Sequence, residues 1–276
     1  MTNENNTIGL FDLDKSTFTQ WPTSEFGFVV VSGAHVFFTE LDTNKIGMLD
    51  PSTNTLTEWT SPTPDSVPFG IALGKEGRIF FAEQIGKFAM LDPFRNTITE
   101  WSLPGTPLLL DLQVSGDFAW SPDFASNLLD RLDLVNNVIY QFAPPTPNSG
   151  PNILALNPQS GSVLFTETAG NNIGELFPAE EPPVAIIKVT PVVSAASPVV
   201  TPVAPTTFAL THTEARVTPT VTEVTGVVTG GFTEWMIPTP VSTPIGIAVE
   251  QPSGTIEFTE CGSKVGTLVV GSKGVN

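Results

Sequence analysis

FFTELDTNKIGMLDPSTNTLTEW, residues 37–59, is followed by FFAEQIGKFAMLDPFRNTITEW, residues 80–101, which repeats nearly the same pattern. With the preceding segment PFGIAL (residues 68–73), the second repeat contains four short stretches rich in β-branched and aromatic residues. Turn residues separate these stretches, and no helical period runs through them. Four strands in a repeat of about 40 residues are typical of a β-propeller blade, so the sequence predicts an all-β propeller.

Two anchor positions extend the repeat along the whole chain. An acidic residue ends the second strand of each repeat, and these residues are Glu40, Glu83, Asp123, Glu167, Glu214 and Glu260. An aromatic residue ends the fourth strand, and the matches are Trp21, Trp59, Trp101, Phe142 and Trp235, with Ile187 as a weaker sixth. This spacing predicts a single domain, residues 1–276, that forms a six-bladed propeller of four-stranded blades.

Residues 178–231 differ from the rest of the chain because they are rich in Pro, Val and Thr. A disordered or glycosylated tether is one interpretation of such a composition. The repeat spacing nevertheless continues through this region to Trp235, and its many β-branched residues suit strands. We therefore predict that residues 178–231 form a degenerate blade, with SPVVTPV (residues 197–203) as an innermost strand.

The two ends of the chain are expected to close the ring by sharing one blade. PIGIAV, TIEFTE and KVGTLVV near the C-terminus match the first three strands of a blade, and TFTQW (residues 17–21) matches the fourth. TIGLFDLD (residues 7–14) matches the same third-strand pattern as KVGTLVV (residues 264–270), so one of the two is surplus. An exposed apolar strand is a template for strand addition, which predicts self-association through residues 7–14 or 264–270. The alternatives are a fifth strand along the chain's own outer edge, or a frayed end.

The composition excludes several classes of partner. The 28 acidic and 11 basic residues give a formal net charge of −17, which argues against binding to nucleic acid or to an anionic membrane surface. No apolar stretch approaches the roughly 20 residues of a membrane span. A single cysteine, Cys261, excludes an intramolecular disulfide. The N-terminal MTNENNTIGL lacks the features of a signal peptide, but a mature secreted form fits, and a secreted or cell-surface location is favoured over the cytoplasm.

The repeats resemble those of the virginiamycin B lyase family, also called streptogramin lyases. The resemblance is strong over residues 23–101 and 232–270 and weaker across 105–231. The segments that carry it are PTPDSVPFGIAL (62–73), FFTELDTNKIGMLD (37–50), NTLTEW (54–59), TPVSTPIGIAV (239–249) and FTECGSKVG (258–266). The resemblance implies a β-propeller fold, and its bearing on activity depends on the residues at the site positions.

Enzymes of that family open a cyclic depsipeptide antibiotic by elimination, with Mg²⁺. In this chain, the family's tyrosine position matches Phe26, its penultimate histidine position falls on Val199, and its final glutamate and histidine positions fall on Thr243 and Ile245. Only the last acid of the family's site, Glu260, is kept. Elimination needs a general base, and the metal needs oxygen ligands; Val and Ile supply neither. The family's reaction is therefore not expected here.

The acidic anchors are also candidate metal ligands. Carboxylates related by the propeller axis would suit Mg²⁺ or Ca²⁺, and the candidates are Glu40, Glu83, Glu167, Glu214 and Glu260. In the alternative, each acid serves its own blade, where it accepts backbone N–H bonds or pairs with a basic residue. The basic residues near the anchors in sequence are Lys45, Lys87, Arg131, Arg216 and Lys264.

His212 is a further candidate because it takes the place that phenylalanine holds in other repeats. Together with Glu214 on the same strand face, and with Glu260, it forms a weak catalytic set; the alternative is a hydrogen-bonded core histidine. No catalytic-triad order, zinc-ligand spacing or nucleotide-binding motif is present. We therefore expect a non-enzymatic scaffold for binding or self-assembly. The alternative is a divergent metal-dependent lyase that acts at the channel mouth.

Overall fold

The computed structural model describes residues 6–12, 14–24, 26–209, 227–229, 231–237, 244–249, 256–260 and 264–268. These residues form strands and one short 3-10 turn, at Lys75–Gly77. The described strands make four five-stranded and two three-stranded antiparallel sheets. The chain divides into two compact units, residues 1–102 with 190–216 and residues 103–189 with 217–276.

The strands are short, with three to seven residues each. Those before residue 103 are β1 (Thr7–Asp12), β2 (Thr17–Pro22), β3 (Phe26–Ser32), β4 (His35–Glu40), β5 (Lys45–Asp50), β6 (Thr55–Thr60), β7 (Pro68–Leu73), β8 (Ile79–Glu83), β9 (Lys87–Asp92) and β10 (Thr97–Ser102). Between residues 103 and 189 they are β11 (Gln113–Ser115), β12 (Phe118–Asp123), β13 (Leu128–Asp133), β14 (Val138–Phe142), β15 (Pro151–Leu156), β16 (Val163–Glu167), β17 (Asn172–Leu176) and β18 (Ala185–Lys188). The others are β19 (Val192–Ala195), β20 (Val199–Pro202), β21 (Thr206–Ala209), β22 (Val227–Thr229), β23 (Phe232–Met236), β24 (Pro244–Val249), β25 (Ile256–Glu260) and β26 (Lys264–Leu268).

Four sheets contain the four-stranded antiparallel meander expected for a repeat. In the first unit these meanders are β3–β6 and β7–β10, and in the second unit they are β11–β14 and β15–β17 with β23. The division into four strands is therefore confirmed for these four repeats. The number of blades is not confirmed as six, because the other two sheets have only three strands each.

Packing between strands explains why the repeat keeps the FTE and KIG patterns. Phe38 of β4 lies directly over Gly47 of β5, and Phe165 of β16 lies over Gly174 of β17 in the same way. A Cβ atom added at either glycine would overlap the aromatic ring, so these two third strands need glycine opposite the phenylalanine; in β9 the residue opposite Phe81 is Ala89. Both phenylalanines are fully buried, which places these contacts at the centre of each meander.

The tryptophan of the TEW pattern joins neighbouring meanders in the first unit. Trp59 at the end of β6 is buried in a cluster with Ile71, Phe81 and Ile98 of the next meander. Its indole N–H donates to the side-chain oxygen of Asn96 at 3.0 Å, and Trp21 makes the equivalent bond to Asn54 at 2.9 Å. The repeated tryptophan therefore serves the contact between blades, as a buried anchor whose polar atom is satisfied.

The strands described at residues 185–209 of the Pro/Val/Thr-rich region do not form a blade of their own. Its strands β18, β19, β20 and β21 begin at residues 185, 192, 199 and 206, seven residues apart. Each strand pairs with the outermost strand of a different sheet: β18 with β14 in the second unit, and β19, β20 and β21 with β10, β6 and β2 in the first. We call residues 185–209 the belt. The degenerate-blade prediction is wrong for these residues.

All four belt strands use the same register. The first residue of each outer strand pairs with the fourth residue of its belt strand, and the pairs are Val138 with Lys188, Thr97 with Ala195, Thr55 with Pro202 and Thr17 with Ala209. The residue after the strand then donates its N–H to an asparagine carbonyl, from Val189 to Asn137, from Ala196 to Asn96 and from Val203 to Asn54. β22 pairs with β23 in this register as well. Glu58 of β6 and Glu234 of β23 are the same residue of the TEW pattern, and they lie opposite the first residues of β20 and β22, Val199 and Val227.

The composition of this region does not distinguish its structure, because blade strands, edge strands and tethers can all be rich in Val and Thr. Prolines at residues 191, 198 and 205 interrupt it every seven residues, which limits each strand to four residues. Proline cannot donate to a sheet ladder, so such strands suit an outer edge rather than the centre of a blade. SPVVTPV is therefore not an innermost strand, and Ile187 belongs to β18 rather than to a fourth strand.

The strands at the two ends of the chain lie in two different sheets. β1 and β2 join the belt strand β21 in a three-stranded sheet of the first unit, and β24, β25 and β26 form a three-stranded sheet of the second. The shared closing blade predicted from the sequence is not present among the described strands. Because β26 pairs with β25, it takes the place that β1 would need in a shared blade.

Candidate functional site

Four of the predicted acidic anchors are described with their side chains, and all four are buried. Each is the last residue of the second strand in its meander: Glu40, Glu83, Asp123 and Glu167. The backbone of Glu260 takes the same place in β25, opposite Lys264. His212, Glu214 and Thr243 lie outside the described residues, as does Arg216. The sequence therefore predicts the placement of these acids correctly, and their contacts decide what they do.

The contacts of Glu83 are with hydroxyl groups of the segment that enters its blade. Ser66 donates its hydroxyl to Glu83 Oε1 at 2.6 Å, and Ser61 donates to the same oxygen. The backbone N–H of Ser66 donates to the side-chain oxygen of Asn44 at 3.0 Å, which ties this segment to the preceding blade. Glu40 accepts from the Thr43 hydroxyl at 2.8 Å. These carboxyls hold turns and linkers in place.

The carboxylate of Asp123 accepts backbone N–H bonds within its own blade, which is the alternative to metal binding that the sequence offered. Its Oδ1 accepts the backbone N–H groups of Leu108 at 2.9 Å and of Ser126 at 3.1 Å. Both donors belong to loops that flank the strand, so the acid replaces missing backbone partners there. Its interactions are therefore those of a loop-fixing residue.

The lysines near the anchors pair with a second set of acids, on the fourth strands. Lys45 lies 3.0 Å from Glu58, and Lys87 lies 2.7 Å from Glu100. The predicted pairing of these lysines with the second-strand acids is therefore wrong. On β5 and β9 the lysine side chain reaches across to the following strand rather than back to the preceding one.

The fourth-strand glutamates also hold the Pro-Thr-Pro linkers. Glu100 accepts the hydroxyl of Thr63 at 2.8 Å and its N–H at 3.3 Å. In the second unit, Glu234 accepts the hydroxyl of Thr146 at 2.8 Å and its N–H at 3.1 Å. The glutamate of TEW and the threonine of Pro-Thr-Pro are thus partners, which explains why both recur.

Burial changes the acidity of the second-strand carboxyls. It raises the pKa of Glu40, Glu83 and Glu167 to about 7. The neighbouring fourth-strand glutamates raise these pKa values further, and the hydroxyl donors oppose the shift. Burial also raises the pKa of Asp130 to about 8 and that of Asp111 to about 6. Such carboxyls carry protons at mildly acidic pH and are poorly suited to hold a cation there.

The candidate metal ligands whose side chains are described, Glu40, Glu83 and Glu167, are not gathered into one cluster. Among the residues that the structure describes, no three His, Cys, Asp or Glu side chains lie close enough together to hold a metal ion. Glu40, Glu83 and Glu167 each belong to a different sheet. His35 lies near the start of β4, with its Nε2 atom 4.0 Å from Asp50, and is partly exposed.

Two of the family's catalytic positions can be located from the strand register. Val199 lies in the belt and is 58% exposed, so its assignment to an innermost strand is wrong. Among the described strands, β15 is the last before β24 that begins a meander; the residue after its proline is Asn152, whose amide donates to Thr168 at 3.1 Å. An amide cannot act as a general base. The backbone of Phe26 lies opposite Glu40 on β3.

Arg131 forms a cluster that the sequence analysis missed. Its guanidinium carbon lies 4.6–5.3 Å from the ring centroids of Phe118, Trp120, Tyr140 and Phe142. Its buried Nε atom has no hydrogen-bond partner, and burial lowers the pKa of this side chain. Arg131 therefore makes cation–π contacts instead of the predicted ion pair. The signal was present in the sequence, because LLDRLD has arginine where KIGMLD and KFAMLD have methionine.

The four-stranded antiparallel meanders, and the tryptophan contacts that join neighbouring meanders, are those of a β-propeller. The chain is similar to virginiamycin B lyase from Staphylococcus aureus, with a TM-score of 0.71 and 24% identity over 96% of this chain and 74% of that one. A catalytically inactive variant of that enzyme, solved with quinupristin, has a TM-score of 0.70. A streptogramin B lyase is 20% identical over 96% of this chain and 90% of that one, with a TM-score of 0.57.

These likenesses establish the fold alone. A β-propeller domain of Cps50 (Swd1) from Myceliophteria thermophila reaches a TM-score of 0.51 at 7% identity, which shows how widely the fold is shared. No protein-family model matches the chain, and no curated protein does either. The described residues include no helix with the length and apolar character needed to cross a bilayer.

Proposed function

We propose that this chain is a non-catalytic propeller scaffold, which binds other chains and associates with itself. The observation that carries the proposal is the use of the acidic anchors. Glu40, Glu83 and Asp123 are buried and bound to turns or linkers, and the lysines beside them pair with other glutamates. Side chains of this kind stabilise blades, and they are poorly placed to reach a substrate.

The inner strands support the same proposal. Asn152 stands where a relative's histidine would act, and its amide is bound to Thr168. Ile245 and Phe26 offer no proton acceptor at the matching positions of β24 and β3. A lyase of the streptogramin type needs a base and a metal-polarised carbonyl, and these positions supply no base.

We expect no linearisation of a type B streptogramin by the purified chain with Mg²⁺, above the rate in buffer alone. The reason is the missing base at these positions. The measurement is chromatographic detection of the opened peptide, with a streptogramin lyase assayed in parallel as the positive control. Turnover that is lost in Glu260→Gln would contradict the scaffold proposal and favour the divergent lyase.

The open strand edges of the two three-stranded sheets support self-association. In complete meanders, a third strand lies between a second and a fourth strand, as β5 lies between β4 and β6. Among the described strands, β1 pairs only with β2 and β26 only with β25. In the part of the chain that the structure describes, the sheet with β26 lacks a fourth strand and the sheet with β1 lacks a first and a second, so the edge of β26 in one copy is available to the edge of β1 in another. Ring closure within one chain would pair the same two edges, those of β1 and β26. The mass in solution therefore distinguishes closure within one chain from association of two chains.

We expect the full chain to form dimers or larger species at micromolar concentration, and removal of residues 1–14 to return it to a monomer. Light scattering during size-exclusion chromatography measures the mass. Because Ile8 is buried and its loss can unfold the sheet, Leu10→Lys/Phe11→Lys is the second variant; both side chains are exposed on β1, and charge discourages edge pairing. A full chain that is monomeric at every concentration would end the self-association proposal.

A further inference from the structure

The belt is an insertion into a single hairpin turn. The turns between third and fourth strands span four residues in three meanders, at 51–54, 93–96 and 134–137. The equivalent connection from β17 to β23 runs from residue 177 to residue 231, although these two strands pair directly with each other. Each meander already has four strands without the belt. The belt is therefore an arm that leaves one sheet, adds a strand to other sheets and returns.

The belt binds through one repeated unit. Each of β18–β21 pairs four residues with an outer strand, and after β18, β19 and β20 the next residue donates its N–H to the asparagine that precedes that outer strand. The side chain of that fifth residue turns inward, and Val189 and Ala196 are 8% and 5% exposed. Most other side chains of the belt are exposed, including Val192, Val193, Val199 and Val200. Recognition therefore depends on backbone pairing and one small apolar side chain in every seven residues.

The period continues beyond the belt in the sequence. After Val189, Ala196 and Val203, apolar residues recur at seven-residue intervals as Leu210, Val217 and Val224. The belt strands begin at residues 185, 192, 199 and 206, and β22 begins at residue 227, which continues the same seven-residue series of strand starts. β22 also pairs with β23 in the register of the belt strands. Only five outer strands, β2, β6, β10, β14 and β23, are paired with such units among the described residues. The unit is thus a general match for the outer edge of a blade.

The outer edge of the belt itself is unsuited to a further strand. Since the N–H of Val203 points inward to Asn54, the alternation of an antiparallel pair directs positions 200 and 202 outward. Position 202 is proline, which has no N–H to offer, and the equivalent position in β18 is Lys188. Proline and lysine on an edge discourage pairing. A second chain is therefore better accommodated in place of the belt than on top of it.

We propose that the belt of one copy binds the outer blade edges of a second copy, in the register that it uses within its own chain. The inference rests on the proposed scaffold function and names the surface and the partner. The complementarity is already visible, because a second copy's belt offers the same backbone groups and the same inward apolar side chains, Val189, Ala196 and Val203. The belt makes the same contacts whether it binds its own chain or a second copy. The chain concentration therefore sets the ratio of monomer to exchanged dimer.

Cysteines at one facing pair test the exchange in the full chain. Val193 lies opposite Thr99, and the inward N–H of Ala196 makes this a non-hydrogen-bonded pair, whose close spacing suits a disulfide. Chains carrying Thr99→Cys alone and Val193→Cys alone, each with Cys261→Ser, are unfolded together, refolded and oxidised. We expect a disulfide-linked heterodimer on a non-reducing gel, in an amount that rises with chain concentration.

Two controls make the result decisive. Thr99→Cys and Val193→Cys in one chain should oxidise, which shows that the register is right. Val193→Cys mixed with Thr57→Cys should give no product, because that pair forms only after a slip of one unit. If the double variant oxidises entirely within one chain and the mixed single variants give no heterodimer at any concentration, the exchange is excluded. A dimer by light scattering without this cross-link would leave the scaffold proposal standing and overturn the belt exchange alone.

Discussion

The melting temperature of this protein should fall by many degrees as pH rises from 5 to 9. Burial raises the pKa of Glu40, Glu83 and Glu167 to about 7 and that of Asp130 to about 8. Between the ordinary carboxyl range and these values, the folded chain holds more protons than the unfolded chain. Stability is therefore fully present below about pH 4.5 for these groups, and it is lost as pH rises through 7 to 8.

The size of the effect follows from linkage. A carboxyl with its pKa raised by two to three units contributes roughly 3 kcal/mol less to stability at high pH than at low pH. Hydration of the ionised groups after local opening will reduce the sum, but several such groups should still remove a large part of a typical stability of about 5–15 kcal/mol. At the acid end, turn carboxylates such as Asp50, with a pKa lowered to about 2 by its hydrogen bonds, limit the gain.

Glu83→Gln and Glu167→Gln provide the matched test. An amide imitates the protonated carboxyl, so the double variant should show a flatter dependence of melting temperature on pH. Added salt separates this effect from repulsion within a chain of net charge −17, because salt screens exposed charges far more than buried ones. A melting temperature that is constant or rises between pH 5 and 8 would contradict the account.

Ala196→Asp should destabilise the protein by about 3 kcal/mol or more, because it places a carboxylate in an apolar site. Ala196 is 5% exposed and belongs to a cluster with Trp59, Ile98 and Leu91. Its carboxylate would find no cationic partner within that cluster. The measurement is the free energy of unfolding from denaturant titration.

The neighbouring residue is the control, since Ala195 has the same side chain and is exposed. Ala195→Asp should change the free energy of unfolding by no more than about 0.5 kcal/mol. Equal effects at the two positions would contradict the placement of the belt. A tether would tolerate both changes, and the central strand of a blade would tolerate neither.

The repeat made the meanders predictable from the sequence. Phe38 over Gly47, Trp59 against the next blade and Glu83 at a strand end are local features that recur at a fixed spacing, so one copy explains the others. Closure of the ring was less accessible, since β1 and β26 share one pattern and the pattern alone does not decide which pairs with β25. The sequence also could not predict which acid each lysine pairs with, because the choice of Lys87 between Glu83 and Glu100 depends on side-chain geometry.

The belt shows why a correct spacing can support a wrong assignment. Blades recur at intervals of about 40 residues, whereas the belt follows a period of seven residues that blade spacing does not reveal. Val189, Ala196 and Val203 follow that period, as do prolines at 191, 198 and 205. One belt unit pairs with one blade. A unit of the belt contributes a single short strand and needs only seven residues, whereas a meander contributes four strands and needs about 40 residues.

Amide hydrogen exchange, resolved by residue, tests the central claim of a strand-adding belt most directly. The N–H groups of Val189, Ala196 and Val203 donate to asparagine carbonyls and should be protected, with a period of seven residues. Those of Val193 and Val200 point outward by the alternation of the antiparallel pair and should exchange rapidly. Uniformly rapid exchange would show a tether, uniform protection would show strands inside a blade, and either result would contradict the belt.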